Sequence, residues 1–400
     1  MKRLTAILLI LVLCLGLASC AAKTPAAPAN TDSAVHTIGV IVYNTGDNEV
    51  IGFREYLQSY IESNFEMVHF LYSGSIQSSE QELEFIQQAC DQGAEGFLSF
   101  LSHDLQAEVA LCEKNKAYYL LASGTVAAEE FAAVASNPWF LGMFGPGQSY
   151  EYLAGVDVAR FFVRKGARNI FLLTGGAALG NEMHYQRTLG ILDTLASSYG
   201  ADFPLTHTEM AKAAEPLTVE TEQLTITVAP GYVSRENYLA SAKEAFAAGT
   251  YDAVLSVLPP ADMADVVGKT PMGIVDSYNI RNLQLFTNGS LQFLVGKYSS
   301  MVGPAFALML NAVTGYAADF QVFGNAVQVV QGFWTSDSLN DFVDKYALSA
   351  SAARNAYGFD DLSKVIRIYN PDATLEDLVA LAEACSYEAV QARRSEQPGE

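Results

Sequence analysis

The stretch Thr37-Ile38-Gly39-Val40-Ile41-Val42-Tyr43, followed at once by Asn44-Thr45-Gly46-Asp47, decides the fold class. A short β-rich apolar run that ends in turn formers reads as a strand buried on both faces. An amphipathic helical stretch then runs to about Asn64. The alternation continues with a strand over 66–72, a helix over 78–92, a strand over 96–101, a helix over 105–114 and a strand over 117–122. Near-continuous apolar strands separated by helices predict a parallel sheet covered on both faces, and the hand of the crossovers makes it doubly wound.

Residues 137–148 contain Pro138, Gly142, Gly145, Pro146 and Gly147. They break the pattern and are the expected place for the chain to leave the first lobe. A second alternation follows: helix 150–165, strand 169–173 ending at Thr174-Gly175-Gly176, helix 182–198, an irregular insertion over 211–221, strand 224–229, helix 235–248, and strands 253–258 and 272–275. Two such lobes in series, without a nucleotide fingerprint, point to a hinged two-lobe binder. The fold class expected is α/β, with two doubly wound parallel-sheet lobes joined by a multi-strand hinge. A C-terminal helical extension, with amphipathic helices over 339–346 and 375–387, follows.

Composition agrees. The chain has 400 residues, half of them apolar and 17% charged, which is more than one core ordinarily holds. The formal charge is −21, which argues against nucleic acid, since phosphates need a Lys/Arg footprint. Histidines 36, 69, 103, 184 and 207 show no metal-ligand spacing, and no cofactor is expected. Cys90, Cys112 and Cys385 form no CxxC pair, leaving either one disulfide or three buried thiols open.

The N-terminus has its own logic. Lys2 and Arg3 precede an apolar core over 7–17, too short to stay as a bilayer-spanning helix. Leu17-Ala18-Ser19-Cys20 resembles the lipobox of bacterial lipoproteins, which implies lipidation of Cys20. The alternative is an ordinary signal peptide with a chance cysteine. Residues 21–33, rich in Ala, Pro, Thr, Ser and Asn, read as a tether. No second run of 18 or more apolar residues is found in the sequence, so the acyl chain is the expected attachment.

No enzymatic constellation stands out. Thr174-Gly175-Gly176-Ala177 lacks both G-x-G-x-x-G and a P-loop Lys-Ser/Thr, and reads as a plain strand–helix turn. No G-x-S-x-G elbow occurs. What remains is position, because ligands of open α/β sheets bind outside the carboxyl ends of the strands. The candidates there are Asn44, Asp47, His103 and Ser123 in the first lobe and Tyr185, Tyr232, Arg235 and Asp276 in the second. Each alone reads first as a turn or cap residue, and only their shared placement at one rim singles them out.

Over about 37–333 the chain resembles the type I periplasmic binding proteins, the ribose and galactose receptors among them. Gly289-Ser290-Leu291-Gln292-Phe293-Leu294-Val295-Gly296-Lys297, then Met301-Val302-Gly303 and a helix to Gly315, has the spacing of that family's return crossing, which puts Lys297 in a ligand-contact place. Gly273-Ile274-Val275-Asp276 resembles the strand ending in a ligand-binding aspartate, Arg187-Thr188-Leu189-Gly190-Ile191 the R-x-x-G-F helix, and 327–333 the strand that finishes the second lobe. The usual Asp-Arg pair is replaced by Ser123-Gly124, the Asn-Asp pair by Pro259-Pro260, and the stacking aromatics of the first helix by residues such as Glu49 and Val50.

The resemblance implies a monomeric, non-enzymatic solute-binding lipoprotein. It would capture a small polar ligand, sugar first, for an ABC permease. It would be held on the outer face of a bacterial cell membrane by its N-terminal lipid. Tyr150-Glu151-Tyr152-Leu153-Ala154-Gly155 also resembles the nucleoside-binding lipoproteins, which keeps a nucleoside in play. The same fold could instead serve a receptor kinase or chemoreceptor, and a surface hydrolase using Asp47, His103 and Asp276 is the remaining option. The expected layout is signal peptide 1–19, tether 20–35, first lobe 36–140 plus 298–320, second lobe 141–297 plus 321–335, and extension 336–400.

Overall fold

The first sheet follows from the buried apolar runs that open the chain. The computed structural model describes residues 35–176, 182–231, 236–350 and 355–395. The early strands are β1 (His36–Val42), β2 (Val68–Ser75), β3 (Ala94–Ser99), β4 (Tyr118–Ala122) and β5 (Phe140–Gly145). Later come β6 (Asn169–Thr174), β7 (Leu217–Glu220), β8 (Thr225–Pro230), β9 (Ala253–Ser256), β10 (Met272–Ser277), β11 (Leu291–Lys297), β12 (Val327–Val330) and β13 (Trp334–Ser336). They form a six-stranded sheet in the order β12-β5-β4-β3-β1-β2 and a seven-stranded sheet in the order β13-β11-β10-β9-β6-β8-β7.

Each sheet contains a doubly wound parallel core whose order reverses beside its first strand, between β1 and β3 in one lobe and between β6 and β9 in the other. That reversal opens the crevice at the carboxyl ends where such sheets bind ligands. The fold class expected from the sequence is the one observed.

Three local expectations are corrected. Residues 140–145 are not a lobe-crossing loop but a fully buried strand of the first sheet, so 141–145 do not belong to the second sheet. Gly142, at φ +136°, permits it: a Cβ there would lie 2.0 Å from the Val327 carbonyl oxygen. The glycines signal a close strand approach rather than a break. The strand over 327–330 likewise lies in the first sheet, in parallel register with β5 from Val327↔Gly142 to Val330↔Gly145. The second sheet is finished by β13, antiparallel to β11. Finally, 211–221 is not wholly irregular, since β7 pairs antiparallel with β8 through cross-strand contacts such as Thr218 with Thr227.

The second lobe is held by two helices, Gly147–Arg164 and Glu182–Tyr199, which approach so closely that a Cβ on Gly155 would lie 2.0 Å from the Arg187 carbonyl and one on Gly190 2.1 Å from that of Tyr152. The stretch Ser299–Phe320 is long and apolar enough to cross a membrane by length and composition, but it is mostly buried inside the protein, so it is a core element here. Cys90, Cys112 and Cys385 are free thiols.

The C-terminal helices Leu339–Ala350, Leu375–Glu383 and Tyr387–Ser395 wrap the connections between the lobes. The first packs on helix Ile280–Thr287 and β13 of the second lobe; the second packs on helix Gly303–Asn311 and β12 of the first. Ser299 N–H donates to Ser349 Oγ at 2.9 Å, Tyr56 OH to the Tyr357 carbonyl at 2.7 Å and Trp334 Nε1 to the Cys385 carbonyl at 2.8 Å. The Trp334 and Tyr298 rings stack at 3.8 Å.

Candidate functional site

Asp47 ends the loop after β1 and caps helix Asn48–Glu55, its carboxylate accepting from Glu49 N–H at 2.8 Å. That cap fixes where the first helix starts and sets Glu49 in its first turn. From the other sheet, Asp276 lies near the carboxyl end of β10, and Lys297 is the last residue of β11. Helix Asn48–Glu55 packs against β10, so these groups meet across the gap between the lobes.

Lys297 makes the crossing explicit. Its side chain is 3% exposed. The ammonium donates to Glu49 Oε1 at 3.2 Å and to the Ser123 carbonyl at 3.1 Å, both in the first lobe. Ser123 follows β4 with φ at +67°, a left-handed conformation rare for a residue with a side chain. On its own side of the gap, Lys297 Nζ lies 4.0 Å from Met183 Sδ. Burial together with the charges of Arg187 and Lys297 drives the neighbouring His184 down to about 3, so that ring is neutral.

The carboxylates feel one another as well. Burial, then the charges of Asp47 and Glu49, push Asp276 up to about 7, against hydrogen bonds from Asn282 Nδ2 at 2.6 Å and Asn279 Nδ2 at 3.4 Å. Asp47 is raised by burial and by Glu49. Tyr43, just past β1, is raised by burial and by Glu49, Asp47 and Asp276 in turn. Acids from two lobes thus share one low-dielectric space with one lysine. Such a site can accept hydroxyl hydrogens on its carboxylates and offer an ammonium N–H to a hydroxyl oxygen.

Of the residues singled out in the sequence, Asp47, Ser123, Asp276 and Lys297 are brought together. Others are engaged elsewhere. Asn44 is exposed and closes a turn by accepting from Gly46 N–H at 2.9 Å. The His103 ring is held at 2.9 Å by Glu82, in a network where Tyr119 OH donates to Glu108 at 2.8 Å. The Tyr185 hydroxyl bonds Thr208 at 2.9 Å, within the second lobe. Tyr232, Arg235 and Cys20 lie outside the described residues. The sequence reading passed over Tyr43, Glu49, Met183, His184, Asn279 and Asn282. Glu49 was weighed only as a missing aromatic, although its place two residues after a cap was a usable signal. Among the described residues no group of His, Cys, Asp and Glu could hold a metal ion.

No protein-family model matches the sequence, and no curated protein matches it. Solved structures do. A galactofuranose binding protein aligns at TM-score 0.55 and 11% identity, over 79% of this chain and 100% of that one. A solute binding protein of an ABC transporter from Actinobacillus succinogenes, with bound D-allose, aligns at TM-score 0.57 and 10% identity, over 77% and 99%. Another from Bacillus halodurans, with bound myo-inositol, aligns at 0.54 and 15%, over 79% and 99%. The chain therefore has the fold of the type I periplasmic binding proteins.

Proposed function

We propose that this protein is an extracytoplasmic solute-binding protein that captures a small polar ligand, a sugar first among them, between its lobes and hands it to an ABC permease. The observation that carries the reading is the convergence of Asp47, Glu49 and Ser123 of one lobe with Asp276 and Lys297 of the other at the carboxyl ends of both sheets. Similar solved structures hold D-allose and myo-inositol, which supports a polyhydroxylated ligand. The binding residues in this reading are Asp47, Ser123, Asp276 and Lys297, with Tyr43 and Glu49 added. The ligand would complete contacts from both lobes and so favour the closed form over an open one. Lipidation of Cys20 would keep the protein at the membrane.

Thermal shift and small-angle scattering with a panel of pentoses, hexoses, cyclitols and nucleosides test this. A ligand that raises the melting temperature should also compact the protein or hold it compact. If no member of the panel does either, the reading is wrong.

A further inference from the structure

The family resemblance places a ligand contact at Lys297, and a lone buried ammonium would suit an anionic ligand. The structure gives that ammonium another occupation. Two of its three N–H donors go to Glu49 and to the Ser123 carbonyl, both in the opposite lobe. Glu49 is 14% exposed and Lys297 3%, so the pair is poorly screened by solvent. Arg187, whose charge also reaches His184, is committed to Glu151 at 2.6 Å and to the Val257 carbonyl at 3.0 Å. The charge of Asp47 reaches Asp276, that of Glu49 reaches both, and the described residues place no second cation on them.

We propose that Glu49 sets the charge selectivity of the cleft: by holding the Lys297 ammonium it leaves an excess of carboxylates, so the protein takes an uncharged polyhydroxylated ligand and rejects acidic ones such as sugar acids and sugar phosphates. The third N–H of Lys297 faces only Met183 Sδ at 4.0 Å, a weak acceptor that a ligand hydroxyl oxygen can replace, and Asp47 and Asp276 take hydroxyl hydrogens. Above about pH 7, where Asp276 is ionised, a ligand carboxylate or phosphate would instead face carboxylates in a space that excludes water, where like charges are strongly unfavourable. The inference rests on the solute-binding reading above and names the ligand class of the same cleft.

The test is calorimetric titration with three sets of probes: neutral pentoses, hexoses and cyclitols; the corresponding aldonic and uronic acids; and the sugar phosphates. A neutral member should bind, and its acidic counterpart should bind about a hundredfold more weakly or worse. Glu49→Gln frees the ammonium and should shrink that gap by about tenfold, and adding Lys297→Met should restore it. Should Glu49→Gln fail to fold, Glu49→Asp, whose shorter side chain loosens its hold on Lys297, should move the gap the same way by less. Acids that bind the unaltered protein as tightly as their neutral parents overturn the proposal, as does an unchanged gap in a folded Glu49 variant. Neither result touches the solute-binding reading. Binding of no polyol of any charge overturns this inference, and the solute-binding reading falls with it only when nucleosides also fail to bind.

Discussion

Arg187 and Lys297 are both almost wholly buried, and each grips a glutamate, but they differ in reach. Arg187 holds Glu151 between two helices of one lobe, while Lys297 holds Glu49 across the gap between lobes. The first pair exists in every arrangement that keeps the second lobe folded, so its free energy belongs to folding. The second exists only while the lobes are together, and opening returns both partners to water. Its free energy belongs to closure. On the proposed reading the same chemistry serves folding in one place and closure in the other, according to whether both partners ride on one rigid body.

Breaking the inner pair should have the largest effect. Arg187→Leu leaves Glu151, with no side-chain exposure, charged and uncompensated. Denaturant unfolding should show a loss of about 3–5 kcal/mol. A smaller loss would mean that Glu151 simply takes up a proton, and the contrast with Lys297 would blur. Breaking the crossing pair should do less to folding and more to shape. In Glu49→Gln, unfolding should shift by less than about 1 kcal/mol, because the open form solvates Lys297, while scattering should report a larger radius of gyration without ligand. Unchanged scattering with a large drop in stability would place this pair in the same class as Arg187 and Glu151.

Acidity sharpens the contrast further, with the mildest effect. Asp276 keeps its proton in the closed form up to about 7, against an ordinary 3.8. Between those values the closed protein binds more protons than the open or unfolded one. Its contribution to closure is therefore complete below 3.8 and is lost as pH rises through about 7. Scattering should show gradual opening over that range, and Asp276→Asn should flatten it. Glu108, also raised to about 7 by burial and by the charge of Glu82, sits in the interior network of the first lobe. Global unfolding should accordingly keep a pH dependence in that variant even after closure has lost it.

Not every strand was equally legible in the sequence. Runs such as 37–43 and 169–173 could be read because a strand buried on both faces has almost nothing but apolar residues in it. Gly142 and Gly145 misled, because a glycine that lets two strands close up looks the same in a sequence as one that breaks a strand. The strand over 327–330 misled for a different reason: which sheet a short strand joins depends on where the chain has already crossed. At the candidate site, Asp47, Ser123 and Asp276 were picked out by position after a strand, the one rule that sheet topology imposes on any ligand, and Lys297 by the family resemblance. His103 satisfied the same rule, yet its ring turns to Glu82 instead.

By itself the sequence determined the layered α/β class, the two lobes and the rim where a ligand would meet them, since periodicity and burial are local properties of the chain. Only the tertiary structure decided which rim residues face one another. Glu49 and Lys297 are separated by most of the protein in sequence and lie 3.2 Å apart in space. No local pattern encodes a contact between groups on different lobes, because it exists only when the lobes have come together.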